Sequence, residues 1–378
     1  MKGRNESCGP FRWKYFCIFN TPIRCLMYRF LKFSFLLFFV LGAHASSALT
    51  YYWIGGTGNW SDINHWSAVS GGSVMQLHTI TPTSSDDVII DAGSFPSAGG
   101  TITMNALSGF CRSFTVVNTP ANSRLNIVGG NSLRVFGNFL VSGGFIRQGN
   151  GVISFESSQL NRTVRAPKLN FGRVNFSSSQ GSWLVQDTLK GLELSILGGQ
   201  VRLGSARIDF GTIRGIGGHL YLDTAFLKIS NRISFESSFQ CAGSQASLEF
   251  NGLEYRDHSP SSHRLRYFRV LSTRAWIMAG SSFSTGMLLC GKEQMLLGVW
   301  QADTIRMPQG GNLLIDHNSV INTSFLFAQH SCLKWGSIEC TVVGGLGTLN
   351  VGNGSPAGVN VIVRDILFGG AGWTASSH

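Results

Sequence analysis

The sequence is poor in charged residues, which make up 13% of its 378 positions, whereas about a quarter is usual in soluble proteins. Because 43% of the residues are hydrophobic, this scarcity argues against a disordered chain or a coiled coil. Lys and Glu, which favour helices, are few, while Gly (47) and Phe (27) are abundant. The composition favours an all-β protein with many short strands and frequent turns.

Long apolar runs are also scarce, and one short run stands out near the N-terminus. Residues 33–43 (FSFLLFFVLGA) follow several basic residues and precede the small-x-small triplet at 43–45. A membrane-spanning helix takes about 20 apolar residues, whereas this order of features is typical of a secretory signal peptide. The sequence therefore predicts a signal peptide over residues 1–45, cleaved near Ala45, and a secreted or cell-surface protein. A membrane anchor is the alternative interpretation.

The leader also carries much of the positive charge. Seven of the 30 basic residues and one of the 19 acidic residues lie in the first 45 positions, so the net charge falls from +11 to +5 without them. The case for nucleic acid as a partner is weak at that charge, and we expect neither that partner nor a membrane span after cleavage. Translation from Met27 would give a leader of ordinary length, which makes residues 1–26 a candidate start-site artefact.

Cysteine motifs of metal or redox sites are missing, since no CxxC occurs. Five cysteines follow the leader: Cys111, Cys241, Cys290, Cys332 and Cys340. An odd number leaves at least one of them unpaired or paired between chains. Cys332 and Cys340 are close enough in sequence to form a candidate disulfide, and burial as small hydrophobic residues is the favoured role of the others.

From about residue 101, apolar and polar residues alternate over three to five positions and are then interrupted by Gly, Asn or Ser. Period two is typical of strands with one buried and one solvated face. Double glycines such as Gly198-Gly199 and Gly217-Gly218 permit sharp turns between them. No stretch after the leader shows sustained helical periodicity.

The sequence also repeats itself over longer distances. The segment KLNFGRV at 168–174 resembles RLRYFRV at 264–270, and ISFESS occurs at both 153–158 and 233–238. Repeats of short strands with almost no helix are typical of a solenoid. We predict a parallel β-helix, with an aromatic-rich N-terminal cap over residues 46–100 and β-solenoid repeats over 101–378. An array of β-sandwich modules is the alternative.

A block near the start of the predicted cap has a more specific sequence pattern than the repeats. Residues 53–67 read W-I-G-G-T-G-N-W-S-D-I-N-H-W-S, and residues 82–91 read P-T-S-S-D-D-V-I-I-D. This block resembles the N-terminal module of large secreted surface proteins of Bacteroidetes-type bacteria, and residues 169–203 are similar to their β-solenoid repeats. The resemblance covers most of residues 50–300. It implies a cell-surface protein that is adhesin-like or of unknown function.

Such surface proteins often end in a sorting domain for export, and none is visible in this sequence. The last ten residues, with Gly369-Gly370-Ala371-Gly372-Trp373, echo the glycines and Trp60 of the opening block. A truncated C-terminus is therefore one hypothesis.

Three tryptophans of the opening block are candidate carbohydrate-binding residues. Trp53, Trp60 and Trp66 offer flat apolar faces on which sugar rings stack, and His65 supplies a hydrogen bond. A solenoid also needs its open end covered, for which large aromatic residues beside Gly turns are well suited. The end cap is the favoured interpretation of these residues.

Asp86, Asp87 and Asp91 are weak candidates for a calcium site, because calcium prefers hard oxygen ligands. Their spacing matches no known calcium loop, and Asp86 has the alternative role of organising the turn after Pro82. No cofactor other than calcium is expected.

A basic and aromatic stretch over residues 255–274 is a candidate patch for an anionic ligand. Its five arginines include Arg274, and the four proposed to contact the ligand are Arg256, Arg264, Arg266 and Arg269. Charge combined with stacking would hold an anionic polysaccharide or nucleic acid. Because Arg269 aligns with Arg173 of the earlier repeat, a role in the repeat architecture is the alternative.

Linear motifs of enzymes are absent: there is no G-x-S-x-G, H-E-x-x-H, P-loop or dinucleotide fingerprint. Acidic residues after the leader are scattered. We therefore expect no catalysis and predict a bacterial surface protein, structural or adhesin-like, that makes multivalent contact with surface glycans or other surface proteins. The alternative is a carbohydrate-binding or carbohydrate-active β-helix protein of the polysaccharide lyase or hydrolase type, with a site assembled across coils.

Overall fold

The computed structural model describes residues 48–260, 263–279, 283–328, 336–342, 345–352 and 361–369. It is all-β, with 58% strand and 2% helix, and its strands stack as parallel coils in a β-solenoid of about 11 turns. The predicted parallel β-helix is therefore confirmed, and the β-sandwich alternative is wrong. The predicted signal peptide and Cys332, one half of the candidate disulfide, lie outside the described residues. No helix within the described ranges is long and apolar enough to cross a membrane.

The first strands belong to the N-terminal segment. They are β1 (Thr50–Trp53), β2 (Gly58–Asn59), β3 (Trp66–Ser67), β4 (Asp87–Ile90) and β5 (Thr101–Met104). Short 3₁₀ helices at Ile63–His65 and Val74–Gln76 lie among them.

The next strands are short as far as β13. They are β6 (Ser108–Cys111), β7 (Phe114–Val116), β8 (Arg124–Ile127), β9 (Ser132–Val135), β10 (Phe139–Val141), β11 (Ile146–Gln148), β12 (Val152–Phe155) and β13 (Arg162–Arg165). From β14 on, longer strands that continue around the corners of the coil are interspersed with short ones. They are β14 (Arg173–Val185), β15 (Leu189–Arg202), β16 (Arg207–Gly215), β17 (Gly218–Tyr221), β18 (Phe226–Phe235), β19 (Phe239–Ala242), β20 (Ala246–Phe250), β21 (Glu254–Asp257) and β22 (His263–Val270).

The last strands continue the same stack. They are β23 (Arg274–Ala279), β24 (Phe283–Leu289), β25 (Glu293–Met307), β26 (Asn312–Ile315), β27 (Val320–Ala328), β28 (Gly336–Cys340), β29 (Gly347–Val351), β30 (Val361–Arg364) and β31 (Ile366–Gly369).

Three parallel ladders run along the coils, and we call them faces 1, 2 and 3. Face 1 contains the register Glu193, Thr212, Arg232, Glu254. Face 2 contains the register Gln200, His219, Gln240. Face 3 contains the register Ile208, Leu227, Leu248. Partners in adjacent coils are thus about 20 residues apart, so residues far apart in sequence become neighbours at one strand spacing, about 4.8 Å.

Period-two alternation decides which side chains enter the core. On face 1, the side chains of Leu194, Ile213, Ile233, Tyr255 and Ile277 are stacked inward and buried. The residues beside them point outward. Each buried aliphatic side chain contributes roughly 1.5–3 kcal/mol through its removal from water, which explains why the inward positions stay apolar along the coils.

Double glycines mark the corner between faces 1 and 2, as the sequence predicted for sharp turns. Gly199 has φ +76° and Gly218 has φ +82°, a conformation that side chains rarely adopt. A Cβ atom on Gly199 would lie 2.6 Å from the carbonyl oxygen of Ser178. Glycine is therefore required at this corner both by backbone conformation and by close approach to the coil below.

The N-terminal segment covers the first coil. Strand β1 pairs in parallel with β4, which pairs with β7, and β3 returns antiparallel to β1 with Trp53 opposite Trp66. The Trp66 ring meets Trp53 edge-on at 5.0 Å and Trp60 at 4.8 Å between centroids. The predicted aromatic-rich cap is present.

Candidate functional site

The tryptophans of the cap pack their rings against neighbouring side chains, and two of them donate their N–H groups to backbone carbonyls. Trp53, Trp60 and Trp66 are buried, and the Trp53 ring stacks on His65 at 4.6 Å. Trp53 Nε1 donates to the Gly56 carbonyl at 2.7 Å, and Trp66 Nε1 donates to the Trp60 carbonyl at 2.8 Å. A sugar ring stacks on an exposed aromatic face, which this packing does not provide. The structure thus places these side chains where they close the core.

The three candidate calcium ligands are each engaged by the protein itself. Asp86 is buried and accepts hydrogen bonds from the backbone N–H and hydroxyl of Thr83, at 2.9 and 2.6 Å. Asp91 accepts from the Gly93 N–H at 2.9 Å. Both arrangements organise turns. Among the described residues, no group of three or more His, Cys, Asp or Glu is placed to hold a metal ion.

Asp87 forms an ion pair with Arg112 of the adjacent coil, with Arg112 Nε donating to Asp87 Oδ1 at 2.8 Å. Burial opposes ionisation of this carboxyl, but hydrogen bonds from Arg112 and Ser113 outweigh it and lower the pKa of Asp87. The pair therefore holds two neighbouring coils together through charge.

The four arginines of the predicted anionic patch are distributed over different faces. Arg256 lies on face 1, where it pairs with Glu254. Arg269 lies on face 3, with its Nη1 atom 3.4 Å from Glu249 Oε1. Arg264 pairs with Asp303, and Arg266 lies over the ring of Tyr267 at 5.1 Å. Their closeness in sequence does not make them a single patch, because the chain turns a corner between them.

Charges on face 1 are paired across coils up to residue 256. Glu193 lies 3.9 Å from Arg173 and 3.7 Å from Arg214, and Glu254 lies 2.6 Å from Arg232. Glu254 then pairs with Trp276 in the ladder, and the following outward positions are Met295 and Leu314. This row of face 1 thus changes from charged to apolar side chains at Trp276 and becomes charged again at Glu339.

The outward row of Trp276, Met295 and Leu314 forms an apolar surface with one exposed and two half-buried side chains, which we call the Trp276 patch. The Trp276 side chain is 62% exposed. It lines a shallow cavity of about 230 Å³ with Met295, Leu314 and the Arg274–Glu293 ion pair. An aromatic ring exposed beside hydrogen-bonding charges is a common element of binding surfaces.

Face 3 shows the same change. Its outward row first alternates in charge through Lys190, Asp209, Lys228, Glu249 and Arg269, which favours attraction between neighbouring coils. The row then continues as Leu289, Arg306 and Phe327, with no acidic residue.

The end of this row lines the larger cavity, of about 550 Å³, which we call the face-3 groove. Its lining residues are Arg269, Leu289, Cys290, Arg306, Met307, Pro308 and Phe327. The guanidinium of Arg306 lies 5.6 Å from the centroid of the Phe327 ring. Burial raises the pKa of the Cys290 thiol to about 12, which favours the protonated thiol at neutral pH. The groove offers cations and apolar surface.

A buried polar cluster lies inside the coil that precedes the Trp276 patch. Asp257 occupies the inward position that Phe235 holds one coil earlier. Its carboxylate is 3.2 Å from His263 Nε2, and it accepts from the Ser259 N–H at 2.9 Å and from the Tyr255 hydroxyl at 3.4 Å. Burial, with the charge of Asp257, raises the pKa of Tyr255. The cluster is enclosed in the core, where these contacts provide the Asp257 side chain with polar partners.

Sequence reasoning missed Arg306 and Trp276 as surface residues of interest. Trp276 stands between the apolar residues Ala275 and Ile277, and alternation alone would have placed it outward. Arg306 is 37 positions from Arg269, and only the register of two successive coils brings them onto one row.

No protein-family model matches this chain, and neither a curated protein nor a solved structure matches it. The resemblance to bacterial surface proteins stays a prediction, and the geometry of the outer faces is the main guide to function.

Proposed function

We propose that this chain is an exported bacterial surface protein with an adhesin-like role, which contacts surface glycans through the outer faces of its coils without catalysis. The observation that carries the proposal is the change on faces 1 and 3 after residue 257. Ion pairs between coils remain there at Arg274–Glu293 and Arg264–Asp303. The outward rows also present side chains that take part in none of the described ion pairs, above all Trp276 and Arg306.

The chemistry of these surfaces supports binding more than turnover. Glycoside hydrolysis usually needs two carboxyl groups on opposite sides of the bond that breaks, one of them protonated. The described lining of the face-3 groove contains no carboxyl group, and the nearby Glu249 is paired with Arg269. Near the Trp276 patch, Glu293 is paired with Arg274.

Repetition along the solenoid suits weak contacts made in parallel. Two sites on one rigid body raise the local concentration of a bound polymer at the second site, so that avidity exceeds either affinity by about 10²–10⁴-fold. The Trp276 patch on face 1 and the face-3 groove run along two faces of the same coils. A long glycan that reaches both would be held more tightly than a short one.

The experiment is a glycan-array and polysaccharide-cleavage screen on the purified chain. Binding without release of new reducing ends is expected, with long glycans retained better than short oligosaccharides. Arg214→Gln serves as a matched control, because it removes a charge from the paired part of face 1. Release of reducing ends would show that the chain is an enzyme. Absence of binding to every glycan on the array would overturn the adhesive role.

A further inference from the structure

The face-3 groove contains two guanidinium groups in one outward row. Arg269 is in register with Leu289, and Leu289 is in register with Arg306. Two steps of a parallel ladder separate the backbones at the arginines by about 10 Å. Both side chains lie outside the coil, and both line the same cavity.

The two arginines differ in their electrostatic partners. Arg269 shares its charge with Glu249 at 3.4 Å. None of the ion pairs found among the described residues includes Arg306. The stretches after residue 47 that lie outside the described ranges contain no Asp or Glu in the sequence. Within the described part of the chain, Arg306 therefore has no carboxylate partner, and its exposed side chain presents a positive charge to solvent.

The surroundings of Arg306 favour a ligand with apolar faces as well as charge. Leu289, Met307 and Pro308 line the groove. The Phe327 ring lies beside the guanidinium, and Phe325, 47% exposed on the neighbouring row, stacks on Phe327 at 6.3 Å. Arginine binds a carboxylate through two parallel hydrogen bonds, which are stronger than neutral ones.

We propose that the face-3 groove binds an acidic polysaccharide that has a carboxylate on every second sugar. This inference rests on the proposed glycan-binding function and names its ligand class. A β-linked pyranose advances an extended glycan by nearly one strand spacing. Two sugars aligned with the solenoid axis therefore span about the backbone separation of Arg269 and Arg306, with the intervening neutral sugar over Leu289. The long arginine side chains would let the two guanidinium groups meet carboxylates on alternate sugars.

Nucleic acid fits the same groove less well. Its affinity comes mainly from the neutralisation of many phosphates, and each of them needs a basic side chain. The row offers two arginines, one of which is already shared with Glu249, and the preceding members of the row alternate in sign. A polymer with widely spaced charges matches this pattern better than one with a charge on every unit.

The test measures the affinity of the purified chain for four defined probes by calorimetry. The probes are hyaluronan oligosaccharides with alternating carboxylates, oligogalacturonate with a carboxylate on every sugar, neutral cello-oligosaccharides and single-stranded DNA. Hyaluronan should bind most tightly. Arg306→Gln and Arg269→Gln should each weaken it by about tenfold or more, the usual effect of losing a hydrogen bond to a charged group. Arg214→Gln on face 1 should leave the affinity unchanged.

Each contrary result has a distinct meaning. Equal binding of hyaluronan and oligogalacturonate would overturn the alternating spacing, and tighter binding of DNA would make the groove a nucleic-acid site. Unchanged affinity in Arg306→Gln, with unaltered circular dichroism, would remove the groove from the interaction. Binding of neutral glycans on the array without any acidic polymer would leave the proposed function standing and overturn this inference alone.

Discussion

The coils before residue 257 and the coils after residue 274 have the same interior and different exteriors. Leu194, Ile213 and Ile233 fill face 1 in the first region, as Ile277 and Leu296 do in the second. Outside, the face 1 row carries charges that pair across coils in the first region, whereas in the second region the same row continues as Trp276, Met295 and Leu314. The inward positions specify the solenoid, which leaves the outward positions free to carry a binding surface.

Replacing one tryptophan in each environment is the strongest test of this comparison. Trp66→Ala should lower the free energy of unfolding by about 3–5 kcal/mol, because it removes a buried ring that contacts Trp53 and Trp60. Trp276→Ala removes an exposed ring, and its effect on stability should stay within about 0.5 kcal/mol.

Thermal denaturation measures the stability of both tryptophan variants, and the glycan array measures their binding. Trp276→Ala should lose binding, while folded Trp66→Ala should retain it. The reverse result would assign the glycan contact to the cap and would contradict the proposed role of the Trp276 patch.

The claim of a common interior is tested by truncating one core residue in each region. Ile213→Ala and Leu296→Ala should each cost about 2–5 kcal/mol, because both side chains are fully buried on face 1. Urea denaturation followed by circular dichroism gives the two values, with the outward Thr212→Ala as a control. A cost near zero for Leu296→Ala would show that the second region is packed differently from the first.

The corner between faces 1 and 2 is also built alike in both regions, with positive φ at Gly199 before the boundary and at Gly298 after it. Gly199→Ala should cost about 1–3 kcal/mol, since it adds strain to a backbone that tolerates only glycine well. Gly204 has φ +57°, but a Cβ there has its nearest neighbour at 3.9 Å.

Gly204→Ala is therefore the matched control. It should lower the free energy of unfolding by about 1 kcal/mol, through the positive φ alone. Melting temperatures of the two variants separate close approach from backbone strain. Equal losses would mean that the carbonyl of Ser178 moves aside without cost.

The smallest expected effect concerns pH and the ion pairs of the first region. The pKa of Asp87 is lowered below its ordinary value of 3.8 in the folded chain. Its contribution to stability is therefore fully present above that value and is lost as the pH falls through the lower, folded pKa. We expect Asp87→Asn to reduce the acid-induced fall in melting temperature slightly, as is usual for a partly exposed pair.

Melting curves between pH 7 and pH 2 would show this difference. The Arg274→Gln variant, altered in the second region, is expected to retain the contribution of Asp87. An identical pH profile in wild type and Asp87→Asn would show that the pair with Arg112 contributes nothing measurable.

Local pattern predicted the fold well because a β-helix is encoded by local features. The alternation on each strand and the glycines at Gly198-Gly199 and Gly217-Gly218 are visible in the sequence and have the predicted roles. The register between coils is not visible, because turn lengths vary: Thr212 is 19 positions from its partner Glu193, while Glu339 is 25 positions from Leu314.

The candidate site depends on that register, which is why it was predicted only in part. Arg269 was singled out for its basic neighbours in sequence, yet its neighbour in the groove is Arg306, two coils later. The cap tryptophans, for which an end cap was the favoured interpretation, are buried in the N-terminal segment. Asp257 and His263 were missed as a pair because nothing in the pattern marks an inward position as polar.

The buried carboxylate of Asp257 also limits how this protein can change its length. Arrays of similar coils grow and shrink by duplication and deletion of whole coils. Two copies of this coil in succession would place two buried polar clusters about one strand spacing apart, and every polar group in both would need a partner inside the core. Related proteins with more or fewer coils should therefore gain or lose them on either side of Asp257, so that the coil with this residue occurs once.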